Sequence, residues 1–448
     1  MSGISGILNE GQHVLVANML ELLSHRGAHG KAVFDCENAT IGMVWAEDEE
    51  DRVLADQQKG IFSDGPGFGH KVEITNPNRH WQISRDDLGV VPMYYAYTNK
   101  GILCFASEVK ALMHISSEVF ELPPGCIMTD KIKDVHFNLK KRPSTQNEPE
   151  TIATDVLNLL TKTITRRITS DTMGAWLSGG LDSSTIATLA RPWIKDFHTF
   201  AGGLRNAPDL EFAKEVAKHI GSDHHEVLID FKDMLRVLPQ VIYHLESFDA
   251  LLVRSGIINY LVADRAAGYV GEAFSGEVGD ELFAGYQYLK SIKMEDIDQE
   301  LLDITGRLHN TALQRVDRCA AAHGLTAHVV FADPVFVDFA LRIPATLKLK
   351  NGIEKWILRK ALEGIIPDSI LWRPKAKFWE GAGVDTLFAD YANKKITDTD
   401  FQKERLLFNG WTLTTKEELF YYRIFNDLFG KLENLDWMGR TKVVSEPL

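Results

Sequence analysis

The segment Ser178-Gly179-Gly180-Leu181-Asp182-Ser183-Ser184 carries the strongest chemical signal in the chain. Glycines let backbone N–H groups close on phosphate oxygens, and the hydroxyls add donors. An apolar run, Gly174 to Leu177, precedes it, and a helical pattern, Ser183 to Leu189, follows. That order sets the loop at the positive end of a helix, where an anion is favoured. The Gly-Lys-Ser/Thr ending of a Walker loop is missing, which excludes a kinase or GTPase reading. Ser275-Gly276-Glu277-Val278-Gly279-Asp280-Glu281 is the second candidate. It lies between the apolar Gly271 to Phe274 and Leu282-Phe283, and so at the C-terminal end of a strand, where ligands gather in open α/β sheets. Asp182 and Asp280 are expected to share a Mg²⁺ on nucleotide phosphates, because hard cations take oxygen ligands. Lys355, in Glu354-Lys355-Trp356-Ile357-Leu358-Arg359, reads as a helix-borne cation for the charge of departing pyrophosphate. Lys375, in Trp372-Arg373-Pro374-Lys375-Ala376-Lys377, is a second such cation. Alone, these segments are a Ser/Gly turn, a solvated acidic loop and two basic helix ends; their combination makes them a site.

Such a loop needs a parallel sheet behind it, and the flanking patterns supply one. Strand-like and helical stretches alternate from Gly174 onward, with Thr199-Phe200-Ala201 as a strand and Leu210 to Ile220 as a helix. From about Asp296 the pattern is almost wholly helical. The first third is different. Ala32-Val33-Phe34, Thr40 to Trp45, Trp81-Gln82-Ile83 and Ile102 to Phe105 read as short strands between Gly and Asn-Pro turns. The polar Lys140 to Glu150 marks a boundary, after which Ile152, Val156, Leu159, Leu160 and Ile164 recur at helical spacing. Two domains are predicted, residues 1–140 and 150–448. His224-His225-Glu226 reads as a strand edge and the scattered tryptophans as core.

The chain has 448 residues, 45% hydrophobic and 25% charged, enough for two packed cores. A net charge of -13 opposes a nucleic-acid partner. No apolar stretch reaches the roughly 18 residues of a membrane helix. The start, Met1 to Glu10, lacks an export-signal pattern. Cys36, Cys104, Cys126 and Cys319 form no CxxC pair, which argues against zinc or a disulfide framework and suits a reducing cytoplasm. A homodimer is the default oligomer.

With these residues assembled, the chain resembles the class B asparagine synthetases and the wider group that includes the β-lactam synthetases. In the second domain the likeness rests on LSGGLDSS, Pro208-Asp209-Leu210-Glu211, SGEVGDELFAGY, RVDRCAAAHGL and EKWILR. In the first it rests on Ser24-His25-Arg26-Gly27, Ser84 to Gly89, Phe105-Ala106-Ser107-Glu108 and Leu122-Pro123-Pro124-Gly125. The resemblance implies an α+β, N-terminal nucleophile hydrolase-like sandwich, then an ATP-pyrophosphatase α/β domain with a parallel sheet and a helical C-terminal part. It implies that Leu177, Gly202, Ser275 and Gly276 line the nucleotide pocket. Ser178, Gly179, Gly180, Asp182, Ser183 and Ser184 match the pyrophosphate loop, and Asp182 and Asp280 match the Mg²⁺ ligands. Lys355 matches the lysine at the charged reaction centre, Glu277 the acidic residue near the acyl acceptor, and Arg254 an arginine near substrate carboxylates. ATP and Mg²⁺ are the implied cofactors, and small carboxylates and amines the implied substrates.

The departures matter as much. Family glutaminases begin Met-Cys-Gly, with the cysteine attacking glutamine; here Met1-Ser2-Gly3 stands, and serine is the weaker nucleophile. The family's Asn-Gly-Glu strand and Gly-Ser-Asp loop have no match between Trp45 and Trp81, where Phe62-Ser63-Asp64-Gly65-Pro66-Gly67 occurs instead. The first domain is therefore expected to be an inactive scaffold, with His25-Arg26-Gly27 a structural relic. Lys377 to Gly383 resembles a stretch of the β-lactam synthetases, whereas Glu277 stands where they carry a tyrosine. Leu251 and Leu252 replace hydroxyl residues of some asparagine synthetases, which disfavours aspartate as the acid. The expectation is an AMP-forming amide synthetase whose amine is intramolecular, giving a lactam, or comes from a second substrate. Ammonia-dependent synthesis of asparagine is the alternative. A Ser2 hydrolase, an ATP-sensing regulator and a nucleic-acid modifier are competing classes that the same residues disfavour.

Overall fold

The computed structural model describes residues 2–36, 38–46, 50–57, 60–63, 71–75, 80–129, 133–374 and 386–442. Eleven strands come first: β1 (Gly3–Ile7), β2 (Gly30–Cys36), β3 (Ala39–Trp45), β4 (Ile61–Ser63), β5 (Lys71–Thr75), β6 (His80–Ser84), β7 (Tyr94–Tyr97), β8 (Leu103–Ala106), β9 (Val119–Glu121), β10 (Cys126–Thr129) and β11 (Lys133–Val135). They form two antiparallel sheets, ordered β2-β3-β1-β8-β7-β9 and β11-β10-β6-β5-β4. Ile4, Ile41, Met43 and Phe105 of the first sheet meet Phe62, Val72, Ile83 and Met128 of the second. All seven residues of β3 are buried, because the other face of the first sheet is covered too. Helix His13–Glu21 lies there, and Gly42 is what admits it: a Cβ would sit 2.7 Å from Val16 and 2.8 Å from Leu20. Burial on both faces accounts for the nearly continuous apolar and small residues of β3.

The segment after β11 carries no regular structure until helix Pro149–Thr165, whose proline stands in the first turn, where its missing N–H is harmless. Five parallel strands follow: β12 (Thr172–Trp176), β13 (Asp196–Leu204), β14 (Asp223–Ile229), β15 (Glu272–Ser275) and β16 (Thr326–Val329), in the order β14-β13-β12-β15-β16. Ile152, Ile186 and Val216 pack one face of this sheet; Val241, Ile257 and Val262 pack the other, together with Phe200. The fold is thus α+β followed by a doubly covered α/β sheet. His224-His225-Glu226 lies on β14, one of the two edge strands. The strand β16 is the one described strand in a C-terminal third that is otherwise helical, as expected. Its four residues are too few to show a period, and only parallel pairing with β15 makes them a strand. No described helix is long and apolar enough to cross a membrane.

A buried, charge-balanced network joins the two halves. Arg26 Nη1 donates to Glu108 Oε1 and to Asp317 Oδ2, and Nη2 to Asp317 Oδ1, each at 2.8 Å. Arg318 lies 2.6 Å from Glu108 and 2.9 Å from Glu246. Glu246 also accepts the backbone N–H groups of Val109 and Lys110, at 3.0 and 2.7 Å. The Lys110 ammonium meets both Glu108 and Glu246. Arg26 is therefore a structural tie between the halves. His25 sits 3.1 Å from Glu108 and 4.6 Å, ring to ring, from His244.

Burial, then the charges of Lys110, Arg26 and Arg318, lowers the His25 pKa to about 2, against a weaker opposing pull from Asp317. Burial and Lys110 lower that of His244 to about 2 as well. Both are neutral in the folded chain and charge freely when it unfolds, so the unfolded state binds more protons below its ordinary pKa of 6.5. Stability is expected to fall as pH drops from about 6.5 towards 2, by up to about 1.4 kcal/mol per unit for each histidine. Urea midpoints at successive pH values test this. The double variant His25→Gln, His244→Gln should flatten the acid limb, and an equally steep limb in that variant would refute the assignment.

Candidate active site

The strand order reverses between β12 and β15, and a crevice at the C-terminal ends of two such strands is where an open α/β sheet binds its ligands. Both signal loops sit there. Leu177 to Gly180 leaves β12 and opens helix Leu181–Ala190, with Gly180 as its N-cap. Gly179 turns at φ +68°, and a Cβ on it would lie 2.6 Å from the Ala213 nitrogen, so only glycine fits. Ser183 Oγ closes the turn, accepting from the Ser178 nitrogen at 3.2 Å and lying 3.0 Å from Ser178 Oγ. The second loop leaves β15 and enters the short helix Gly279–Phe283.

The two loops touch. A Cβ on Gly276 would stand 2.7 Å from the Ser183 nitrogen, and one on Gly279 would stand 2.6 Å from Asp182 Cγ. A Cβ on Gly285 would collide with Asp280 Oδ1 and Lys355 Cε. The glycines of the acidic segment therefore exist to let two carboxylates and a lysine meet. Lys355 Nζ donates to Asp182 Oδ2 at 2.5 Å and lies 2.6 Å from Asp280 Oδ1. The lysine is not within a helix, as its sequence suggested; it caps helix Trp356–Ala361 at φ +55°. Val278 (φ +77°) and Ala284 (φ +57°) are further non-glycine residues in the left-handed region, a strain that clusters at functional sites. Arg359 braces this turn, donating to the Glu354 carbonyl at 2.9 Å and to its carboxylate at 2.8 Å.

Leu177, Ser178, Gly180, Asp182, Ser183, Gly202, Ser275, Gly276, Glu277, Asp280 and Lys355 line one cavity of about 510 Å³. Gly179 and Ser184 lie behind the wall; Ser184 is fully buried. Arg254 is not brought to the cavity. Its guanidinium is held by Glu417, at 2.6 and 3.2 Å, beneath helix Lys416–Phe429, so its charge is already neutralised. Lys375 and Lys377 to Gly383 lie outside the described residues, as do Asp64 to Gly67.

Four residues given no role from sequence also line the cavity: Asp209, Glu281, Arg315 and Arg373. Arg373 donates to the Gly179 carbonyl at 3.1 Å and to Asp209 at 2.5 Å, which fixes a cation against the phosphate loop. Arg315 donates to Ser255 Oγ at 2.8 Å and is paired with Glu277. Burial, then Asp280 and Glu277, raise the Glu281 pKa to about 7, and Tyr286 donates to it at 2.5 Å. All four stand inside recognisable motifs, but the partners of Asp209, Arg315 and Arg373 are tens of residues away or more, which no local pattern reveals. Trp176 Nε1 and Asn259 Oδ1 are buried in this wall without hydrogen-bond partners among the described residues, as expected of groups that await a polar ligand.

A family model for asparagine synthase matches residues 155–302 and 290–444 of the chain. The chain belongs to the asparagine synthetase family. Two glutamine amidotransferase domain models match further residues of this asparagine synthetase relative, 17–114 and 74–159. Asparagine synthetase [glutamine-hydrolyzing] 2 of Lotus japonicus is 32% identical, over 96% of this chain and 77% of its own. Asparagine synthetase B [glutamine-hydrolyzing] of Escherichia coli (strain K12) is 32% identical over 78% of this chain and 67% of its own. The asparagine synthetase of Gallus gallus is 33% identical over 84% and 76%. As a member of the asparagine synthetase family, the chain is an ATP-using ligase that forms amide bonds.

Proposed function

We propose that the protein adenylates the carboxylate of an amino-acid-like substrate, releases pyrophosphate, and lets an amine from a source other than glutamine displace AMP. The observation that carries this reading is the convergence of the phosphate loop, Asp182, Asp280 and Lys355 in one cavity at the switch point of the sheet. The Asp182 and Asp280 oxygens point at one position, now held by the Lys355 ammonium, and a pair of converging hard oxygens suits Mg²⁺. When bound there, Mg²⁺ would offset phosphate charge. The substrate carboxylate attacks the α-phosphorus and the bond to the β-phosphate breaks. Lys355 and Arg373, both bonded at the loop, hold the charge that leaves with pyrophosphate in this reading. The amine nitrogen then bonds to the acyl carbon, the acyl–phosphate bond breaks to free AMP, and the amine proton goes to a carboxylate. Glu277, on the cavity wall and oriented by Arg315, is the residue assigned to take it.

Two features support an amine from outside glutamine. Ser2 stands where the glutaminase cysteine is expected, and it is fully buried, with Arg52 donating to its hydroxyl at 3.4 Å. The relatives' names, asparagine synthetase [glutamine-hydrolyzing], favour asparagine as the product; a second reading keeps that product and, with Ser2 in place of the cysteine, makes it from aspartate and free ammonia. Incubation with Mg²⁺, ATP and aspartate, with and without ammonium, separates the two. Under the proposal no asparagine forms. Ammonium-dependent asparagine with one AMP per product would establish the second reading instead.

A further inference from the structure

We infer that the acid this site activates carries an apolar arm beyond its reacting carboxylate; the inference rests on the adenylation reading and names its substrate class. Away from the phosphate loop, the cavity wall is made by Leu251, Leu252, Ile304, Leu308 and Ala312. Ser255 ties this wall to the reaction centre: its hydroxyl donates to the Leu251 carbonyl at 2.8 Å and accepts from Arg315, the partner of Glu277. The apolar end is therefore linked to the carboxylate assigned to the amine step.

The charged and hydroxyl groups at this end are already engaged, and the Asn259 oxygen, unpartnered among the described residues and one turn after Ser255, carries no charge. The Tyr288 hydroxyl donates to Glu300 at 2.6 Å, and that of Tyr286 to Glu281. Arg307 is bidentate on Asp303, both bonds at 3.1 Å, and Lys442 bridges Glu300 and Asp303 at 2.8 and 2.9 Å. A charged substrate terminus would have to break one of these pairs or be left against leucine. An apolar arm loses water and gains contacts without disturbing them.

The test is calorimetric binding of straight-chain monocarboxylates of about four to ten carbons, and of aspartate, to the full chain with Mg²⁺ and a non-hydrolysable ATP analogue. Affinity is expected to rise about fourfold per methylene until the cavity fills, with aspartate weaker than the longer acids. Leu252→Thr should flatten that ladder while leaving affinity for the ATP analogue unchanged. Absence of a chain-length trend, or aspartate binding most tightly, would overturn the inference. ATP–pyrophosphate exchange on the same acids keeps the two readings apart. A binding ladder without exchange leaves the apolar site standing and removes adenylation; exchange with aspartate alone does the reverse.

Discussion

Lys355→Ala lowers adenylation by a factor of about 10² to 10³ while the ATP analogue still binds, the loss typical of removing one preorganised group that stabilises developing charge. The lysine side chain is 2% exposed and lies within 2.6 Å of two carboxylates, so its position is set before any substrate arrives. Its removal leaves Asp182 and Asp280 facing each other without their shared ammonium. Mg²⁺ should therefore raise the thermal midpoint of the variant more than that of the parent. Pyrophosphate release with saturating ATP and acid reads the chemical effect. Turnover equal to the parent, in a folded variant, would remove Lys355 from the reaction.

Arg26→Ala has the largest expected effect on stability. It strands Asp317 and takes from Glu108 one of three cationic partners, both carboxylates being almost wholly buried, and removal of one partner from a buried ion pair typically costs about 3–5 kcal/mol. The network also holds the glutaminase-like sheets against the synthetase half, so the loss is felt at both ends. Urea denaturation measures it. Adding Asp317→Asn should recover part of the loss, because the second change removes a stranded charge. A cost below about 1 kcal/mol would mean that water reaches the network and that Arg26 is no tie.

The strand-loop-helix context of Ser178 to Ser184 was legible because both flanks have their own periods: an apolar strand, then a helix that buries Ile186, Ala187 and Ala190. The meeting of Ser178, Asp182, Asp280 and Lys355 in one cavity follows the grouping that their chemistry suggested. What stayed hidden depends on contacts far apart in the chain. Arg315 acquires meaning from Glu277 and Ser255, and Arg373 from Asp209 and the Gly179 carbonyl. Arg254 shows the converse: the family resemblance sets it near substrate carboxylates, but Glu417, 163 positions later, takes its charge. The strand β16 was hidden for a third reason, since four residues carry no period and pairing with β15 alone defines it.

Adenylation without glutamine is tested most directly by phosphorus NMR of the purified protein with Mg²⁺, ATP, pooled amines and the acids that bind. AMP and pyrophosphate are expected in equal amounts, at the same rate with or without glutamine and with no glutamate released. ADP with inorganic phosphate, or turnover that requires glutamine and releases glutamate, would contradict it.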